Sequence, residues 1–208
     1  MLNTLIAEKF RNPTGLLGRM AGMMMASGNR RAVEWTVSLL DIEPADHVLE
    51  VGFGPGVGIG CAARCATSGR VFGIDRSPTM VEVARRRNRD AIASGRVDLR
   101  EGDAMHLPYA NESFDKAFSV HCIYFWKEPI RTLEELRRVL VPGGRLAITV
   151  LPKARWLETK SVPPADLFTL YDAFEVADLL ERSGLRDVQV EDAWPHERLR
   201  CACVTGLR

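Results

Sequence analysis

The residues best suited to chemistry lie in Val48 to Gly58, VLEVGFGPGVG, where an apolar run delivers Glu50 into a turn carrying Gly52, Gly54 and Gly56 at alternate positions. Glycines so spaced let the backbone turn sharply and let a ligand approach main-chain N–H groups at the start of the next helix, expected near Val57. A bound ligand is therefore expected at this turn. A dinucleotide fingerprint needs G-x-G-x-x-G/A in the turn itself, yet from Gly52 or Gly54 the last position is Val57 or Ile59. The frame Gly58-x-Gly60-x2-Ala63 matches formally but sits inside the predicted helix, which counts against a nicotinamide or flavin cofactor. Taken alone, Glu50 is equally readable as a strand-end residue.

A second concentration of reactive groups is Ser119-Val120-His121-Cys122-Ile123-Tyr124-Phe125-Trp126, which gathers three aromatic residues in a chain with only 7%. An imidazole of ordinary pKa is available as a base near neutrality. His121 as a base and His121 as a hydrogen-bonding residue without chemistry stand side by side. Cysteines fall at Cys61-x3-Cys65, Cys122 and Cys201-x-Cys203, an odd count of 5 without structural-zinc spacing. They read as reduced, buried small residues, with Cys122 notable for its neighbours. No metal is expected.

Positioning such groups requires regular elements. Three short apolar runs, His47 to Val51, Val71 to Ile74 and Leu146 to Leu151, are continuous rather than alternating, as in strands covered on both faces. Weaker strand signals are Val97 to Arg100, Lys116 to Val120, Val188 to Glu191 and Ala202 to Thr205, giving seven strands in all. Helices lie between them. Ser77-Pro78 opens one, with Ser as N-cap and Pro at the first helical position. Glu128-Pro129 opens another, whose stripe Ile130, Leu133, Leu136, Val139, Leu140 is expected to stop at Pro142-Gly143-Gly144. A third runs from about Ala173 to Ser183 and closes at Gly184. Strands alternating with helices predict an α/β fold, an open sheet with its site at the carboxyl ends of the strands. The first 45 residues read as two or three helices, including Arg30 to Leu40, and Pro152 to Tyr171 reads as a long irregular stretch, a common form of lid. Arg85-Arg86-Arg87-Asn88-Arg89 reads as the solvated face of a helix.

The 208 residues suit one domain with a short appendage, and 28 Lys plus Arg against 27 Asp plus Glu leave a net charge of +1. That balance argues against nucleic acid as partner. No apolar run reaches the ~18–20 residues that span a bilayer, and Glu8 and Lys9 interrupt any signal-peptide core, so a cytoplasmic location and no membrane span are expected.

An acidic strand end followed by G-x-G-x-G is similar to S-adenosylmethionine sites. The segments VLEVGFGPGVG, VFGIDRSPTM, LREGDAMHLPYANESFDKAFSVHCIYFW and ELRRVLVPGGRLAI resemble, in order and spacing, the successive motifs of class I S-adenosylmethionine-dependent methyltransferases. The branch they resemble holds small-molecule enzymes similar to the ubiquinone and menaquinone methyltransferases. The resemblance covers Ala45 to about Leu151 and implies a Rossmann-like, doubly wound, seven-stranded, mostly parallel sheet whose last strand is antiparallel. It divides the chain into an N-terminal helical cap, residues 1–44, and a methyltransferase domain, residues 45–208.

The resemblance also implies roles. Asp75 would take both ribose hydroxyls, its other reading being an N-cap for the helix after Ser77. Gly52, Gly54 and Gly56 would face the methionine portion with Glu50 toward its ammonium. Asp103 and Ala104 would hold the adenine, the other reading of Asp103 being a turn-forming residue. Arg76, Met80 and Ser119 complete the expected cofactor contacts. His121, Tyr124, Phe125 and Trp126 would face the substrate, and Met24, Asn29 and Trp156 are lid candidates. The expected activity is methyl transfer to an O, N, S or activated C nucleophile of a small, uncharged or apolar acceptor; a homodimer is allowed. A non-catalytic cofactor-binding or partner-binding module is the alternative, recognisable by a collapsed substrate pocket. A nicotinamide oxidoreductase ranks third.

Overall fold

The computed structural model describes residues 28–158, 168–192 and 201–208. Met24 and the helices expected before residue 28 lie outside the described residues, as does most of the stretch following Trp156. The order of elements is α1 (Arg30–Leu39), β1 (His47–Val51), α2 (Val57–Cys65), β2 (Arg70–Asp75), α3 (Pro78–Arg87), α4 (Arg89–Ala93), β3 (Val97–Glu101), β4 (Phe114–Val120), a 3-10 turn (Ile123–Phe125), α5 (Pro129–Val139), β5 (Leu140–Val150), α6 (Lys153–Glu158), α7 (Ala173–Arg182), β6 (Arg186–Asp192) and β7 (Ala202–Leu207).

The seven strands form one sheet in the order β3-β2-β1-β4-β5-β7-β6. The pairs from β3 to β5 are parallel, whereas β7 runs antiparallel to both its neighbours, β5 and β6. This is the predicted architecture. Helices cover both faces, which is why the strand sequences are continuously apolar. Leu49, Val51, Ala117, Leu146, Ile148 and Val150 face a core shared with Leu133, Leu136 and Val139 of α5 and Val176, Leu179 and Leu180 of α7. Their alternates Val48, Phe118 and Ala147 pack against Val33 and Val37 of α1 and Ile59, Ala62 and Ala63 of α2. Glu50 belongs to this second set by register, so its carboxylate points under α2.

Local signals set the helix ends. Ser77 Oγ accepts from the Met80 amide at 3.3 Å with Pro78 at the first helical position, and Met80, Val81 and Ala84 turn inward. In the arginine-rich segment Asn88 is buried, its amide donating to the Gly56 and Ala84 carbonyls, while Arg86 pairs with Glu82 outside. Two expectations are corrected. The helix of Leu133 and Leu136 ends at Val139, before Pro142, and β5 starts at once at Leu140. Its ladder jumps from Phe114↔Leu140 to Lys116↔Arg145, so the Pro-Gly-Gly segment is an irregularity within β5 rather than a stop. The region after Pro152, which shows no apolar period, nevertheless holds α6.

α1 is tied to the sheet by a buried pair of hydroxyls. Thr36 Oγ1 donates to the Ala32 carbonyl at 2.7 Å and lies 2.6 Å from Thr149 Oγ1 of β5. With its own proton committed, Thr36 accepts from Thr149.

Candidate active site

β1 and β4 are neighbours from which the chain departs in opposite directions, and the crevice beyond the carboxyl ends of such strands is where open α/β sheets bind ligands. A cavity of about 240 Å3 occupies that position. The turn after β1, Asp75 and Arg76 at the end of β2, Gly102 to Met105 after β3, and Val120, His121, Cys122, Phe125, Trp126 and Lys127 at the end of β4 all contribute to its walls. Asn29 and Val33 bring the N-terminal end of α1 to its rim.

Of the residues singled out from sequence, Glu50, Gly52, Gly54, Asp75, Arg76, Met80, Asp103, Ala104, His121, Phe125, Trp126 and Asn29 line this cavity. Glu50 is only 3% exposed, and its Oε2 is buried without a hydrogen-bond partner. Burial first, then repulsion from Asp75, hold its carboxyl well above the usual carboxylate range against the Ile59 amide. Such an orphaned buried acceptor suits a cationic group. Asp75 accepts from the Gly54 amide through Oδ2 and from the Ser77 amide through Oδ1, each at 2.8 Å. One lone pair on each oxygen is left for a ligand hydroxyl. Burial raises its pKa despite both amides. The N-cap of α3 is Ser77, not Asp75. Asp103 does form the turn, its Oδ1 accepting from the Met105 amide at 3.0 Å, and also reaches the cavity.

The glycine turn is shaped by what crowds it. A Cβ on Gly52, where φ is +72°, would fall 2.2 Å from Cys122 Sγ. On Gly58 it would fall 2.3 Å from Glu50 Oε1, so this glycine lets the carboxylate lie beneath the first turn of α2. Sequence reasoning passed over Gly58 and Cys122 as site residues. Both sit inside quoted motifs, but only the packing shows what they touch.

Four expected site residues do not line the cavity. Gly56 is turned against Ala84 and Asn88 as the left-handed N-cap of α2. Ser119 is fully buried within β4. Tyr124 is 3% exposed because its ring stacks among Phe125, Trp156 and Phe168. Trp156 packs edge-on against Tyr124, at 6.0 Å between ring centroids.

His121 follows β4 directly with φ at +53°, a conformation costly for a non-glycine residue, held by its amide donating to the Thr149 carbonyl at 2.9 Å. Its Nδ1 lies 3.3 Å from the Tyr124 hydroxyl. Burial pulls the imidazole down to about 4, so it is neutral at physiological pH. Burial pushes the adjoining Cys122 thiol up to about 12, leaving it un-ionised. Among the described residues, no cluster of three or more His, Cys, Asp or Glu side chains is placed to hold a metal, and no helix is long and apolar enough to cross a membrane.

This fold and this cavity define the class of doubly wound proteins that place a nucleotide-like ligand at the β1 turn. Residues 49–148 match the family described as methyltransferase domain. The chain is 33% identical over 133 residues to the uncharacterized methyltransferase YdaC of Bacillus subtilis, covering 64% of this chain and 71% of that protein. It is 34% identical over 170 residues to an O-methyltransferase of Pyrenophora dematioidea, covering 76% of this chain and 61% of the relative. A solved S-adenosylmethionine-dependent methyltransferase from Aquifex aeolicus shares the fold at a TM-score of 0.71 and 22% identity, over 98% of this chain and 97% of that one. The chain belongs to the methyltransferase domain family. S-adenosylmethionine is the cofactor of its class.

Proposed function

We propose that this protein transfers a methyl group from S-adenosylmethionine to a small-molecule acceptor, with residues 1–44 acting as a cap on a methyltransferase domain of residues 45–208. The observation that carries this reading is one cavity walled by Glu50, Asp75, Asp103 and His121 at the carboxyl ends of four adjacent strands. The residues fit the cofactor: the orphaned Glu50 carboxylate suits its ammonium, and the free lone pairs of Asp75 suit its ribose hydroxyls. The turn at Asp103 and Ala104 is left for the adenine. When bound, the cofactor supplies a methyl group on a sulfonium centre.

The chain's own part is mainly placement. Val33, Phe53 and Val120 give the cavity apolar wall that excludes water, and Phe125 and Trp126 add flat surface for an acceptor. Holding a nucleophile within about 3–3.5 Å of the transferable group in a dry site supplies much of the acceleration such displacements need. Neutral His121 receives the acceptor by hydrogen bonding; with its pKa at about 4 it is a weaker base than the ordinary imidazole expected from sequence, so positioning rather than proton transfer is its main part. Asn29 and Val33 at the rim support the cap assignment. The preferred acceptor is small and weakly charged, with a hydroxyl as reacting group in keeping with the O-methyltransferase relative, and the working compartment is the cytoplasm.

Calorimetry with S-adenosylhomocysteine tests this. Saturable binding is expected for the protein, with a loss of at least about tenfold in Asp75→Ala, where charge-assisted hydrogen bonds of roughly 1.5–3 kcal/mol disappear. Absence of binding by the intact protein would overturn the reading. Labelled methyl transfer to a panel of phenols and hydroquinones then identifies the acceptor class, and binding without transfer to any acceptor would favour a non-catalytic module.

A further inference from the structure

Tyr124 stands out because the cavity does not use it. Its hydroxyl accepts from the Leu151 amide and lies 3.3 Å from the Leu151 carbonyl and 3.3 Å from His121 Nδ1. Its own carbonyl accepts from the Thr169 amide at 3.0 Å. The phenol is thus fixed to the end of β5 and to the chain beyond α6, with its ring nearly parallel to the imidazole at 13° and 6.3 Å between centroids. His121 is held from three directions: by its amide on Thr149, by ring stacking, and by Nδ1 on the hydroxyl. Its other nitrogen, Nε2, makes none of the described hydrogen bonds, in a residue that lines the cavity.

We propose that Tyr124 is a positioning residue for His121: its hydroxyl holds Nδ1 so that Nε2 is the nitrogen offered to the methyl acceptor, which presents an O–H or N–H group to it. A neutral imidazole carries one N–H and one lone pair, and which nitrogen has the proton depends on the hydrogen bond made by the other. A hydroxyl or amine can both give and receive a hydrogen bond, so it satisfies Nε2 in either tautomer. A carbon nucleophile without such a group leaves Nε2 unpaired in a desolvated site. The choice of acceptor rests on the methyltransferase reading; the orientation of the ring does not.

The test is nitrogen-15 NMR of protein labelled at histidine, with and without S-adenosylhomocysteine, the His121 signals being those lost in His121→Gln. The expected spectrum has separate limiting Nδ1 and Nε2 resonances of a single neutral tautomer, unchanged as pH falls through the ordinary histidine value. In Tyr124→Phe, which keeps the ring but not the hydroxyl, the two resonances are expected to move toward their average while S-adenosylhomocysteine still binds. An averaged spectrum in the unsubstituted protein, or an unchanged one in Tyr124→Phe, overturns the proposal. If the variant does not fold, the unsubstituted spectrum alone decides. Failure to bind S-adenosylhomocysteine counts against the methyltransferase reading, and the ligand-free spectrum still judges Tyr124.

Discussion

Glu50 and His121 perturb stability in opposite senses, and the difference is measurable. The folded protein holds the Glu50 proton more tightly than the unfolded chain does, so this group's contribution is present at low pH and declines as pH rises from the ordinary carboxylate value toward the raised one. His121 is depressed from 6.5 to about 4, so its contribution is present above the ordinary histidine value and is lost as pH falls toward 4. Glu50→Gln removes the first effect and leaves the second. The stability of this variant relative to the unsubstituted ligand-free protein is expected to grow as pH rises from about 4 to about 8. Thermal denaturation across that range checks it, and a constant difference would refute the buried carboxyl's altered titration. The same variant is expected to bind S-adenosylhomocysteine more weakly, because the ammonium loses its counter-charge. Glu50 was legible beside the glycine turn from its place in the motif, whereas its role and that of Asp75 came through the resemblance. Tyr124 was legible in neither way: the aromatic run marked it for substrate, and only the route of β5 past its hydroxyl directs it to His121.

At the scale of elements, composition carried most of the information where both faces of a strand are buried. Val48 and Leu49 pack into opposite cores, so the run needed no alternation to be read as a strand. α3 was equally clear because Ser77 and Pro78 serve as cap and first residue. Ser77→Ala should therefore cost about 1 kcal/mol, as removal of an N-cap commonly does. It also disturbs the segment that Asp75 grips through the Ser77 amide. Chemical denaturation checks the first effect; a loss well under half that size would mean the cap contributes little. Two boundaries escaped the sequence for identifiable reasons. Pro142 and Gly143 punctuate a local irregularity that the β4–β5 ladder tolerates, and α6 carries no apolar stripe to announce it.

At the scale of the molecule, the cavity draws on the turns after four strands and on α1, so a ligand there touches parts of the chain far apart in sequence. Ligand at a hundred times its dissociation constant stabilises the folded state by about 2.7 kcal/mol. For a chain of this size that is expected to raise the thermal midpoint by roughly 5–11 °C with S-adenosylhomocysteine. Scanning calorimetry reads it directly, and no shift in the presence of bound ligand would show that binding does not favour the described fold. That the last strand runs antiparallel was legible only through the resemblance of four motifs in register, and the order of the strands was not legible at all, since nothing in the composition of Ala202 to Leu207 says that it lies between β5 and β6.

That interleaving has a consequence for synthesis. β6 is attached to the sheet through β7 alone, yet the ribosome makes β6 first. Until Ala202–Leu207 has left the exit tunnel, the nascent chain carries β5 with one bare edge and β6 with no strand beside it. While β7 is unpaired, the N–H and C=O groups of these edges are open to a neighbouring chain. Insertion of β7 therefore covers the bare edges of β5 and β6 in a single step.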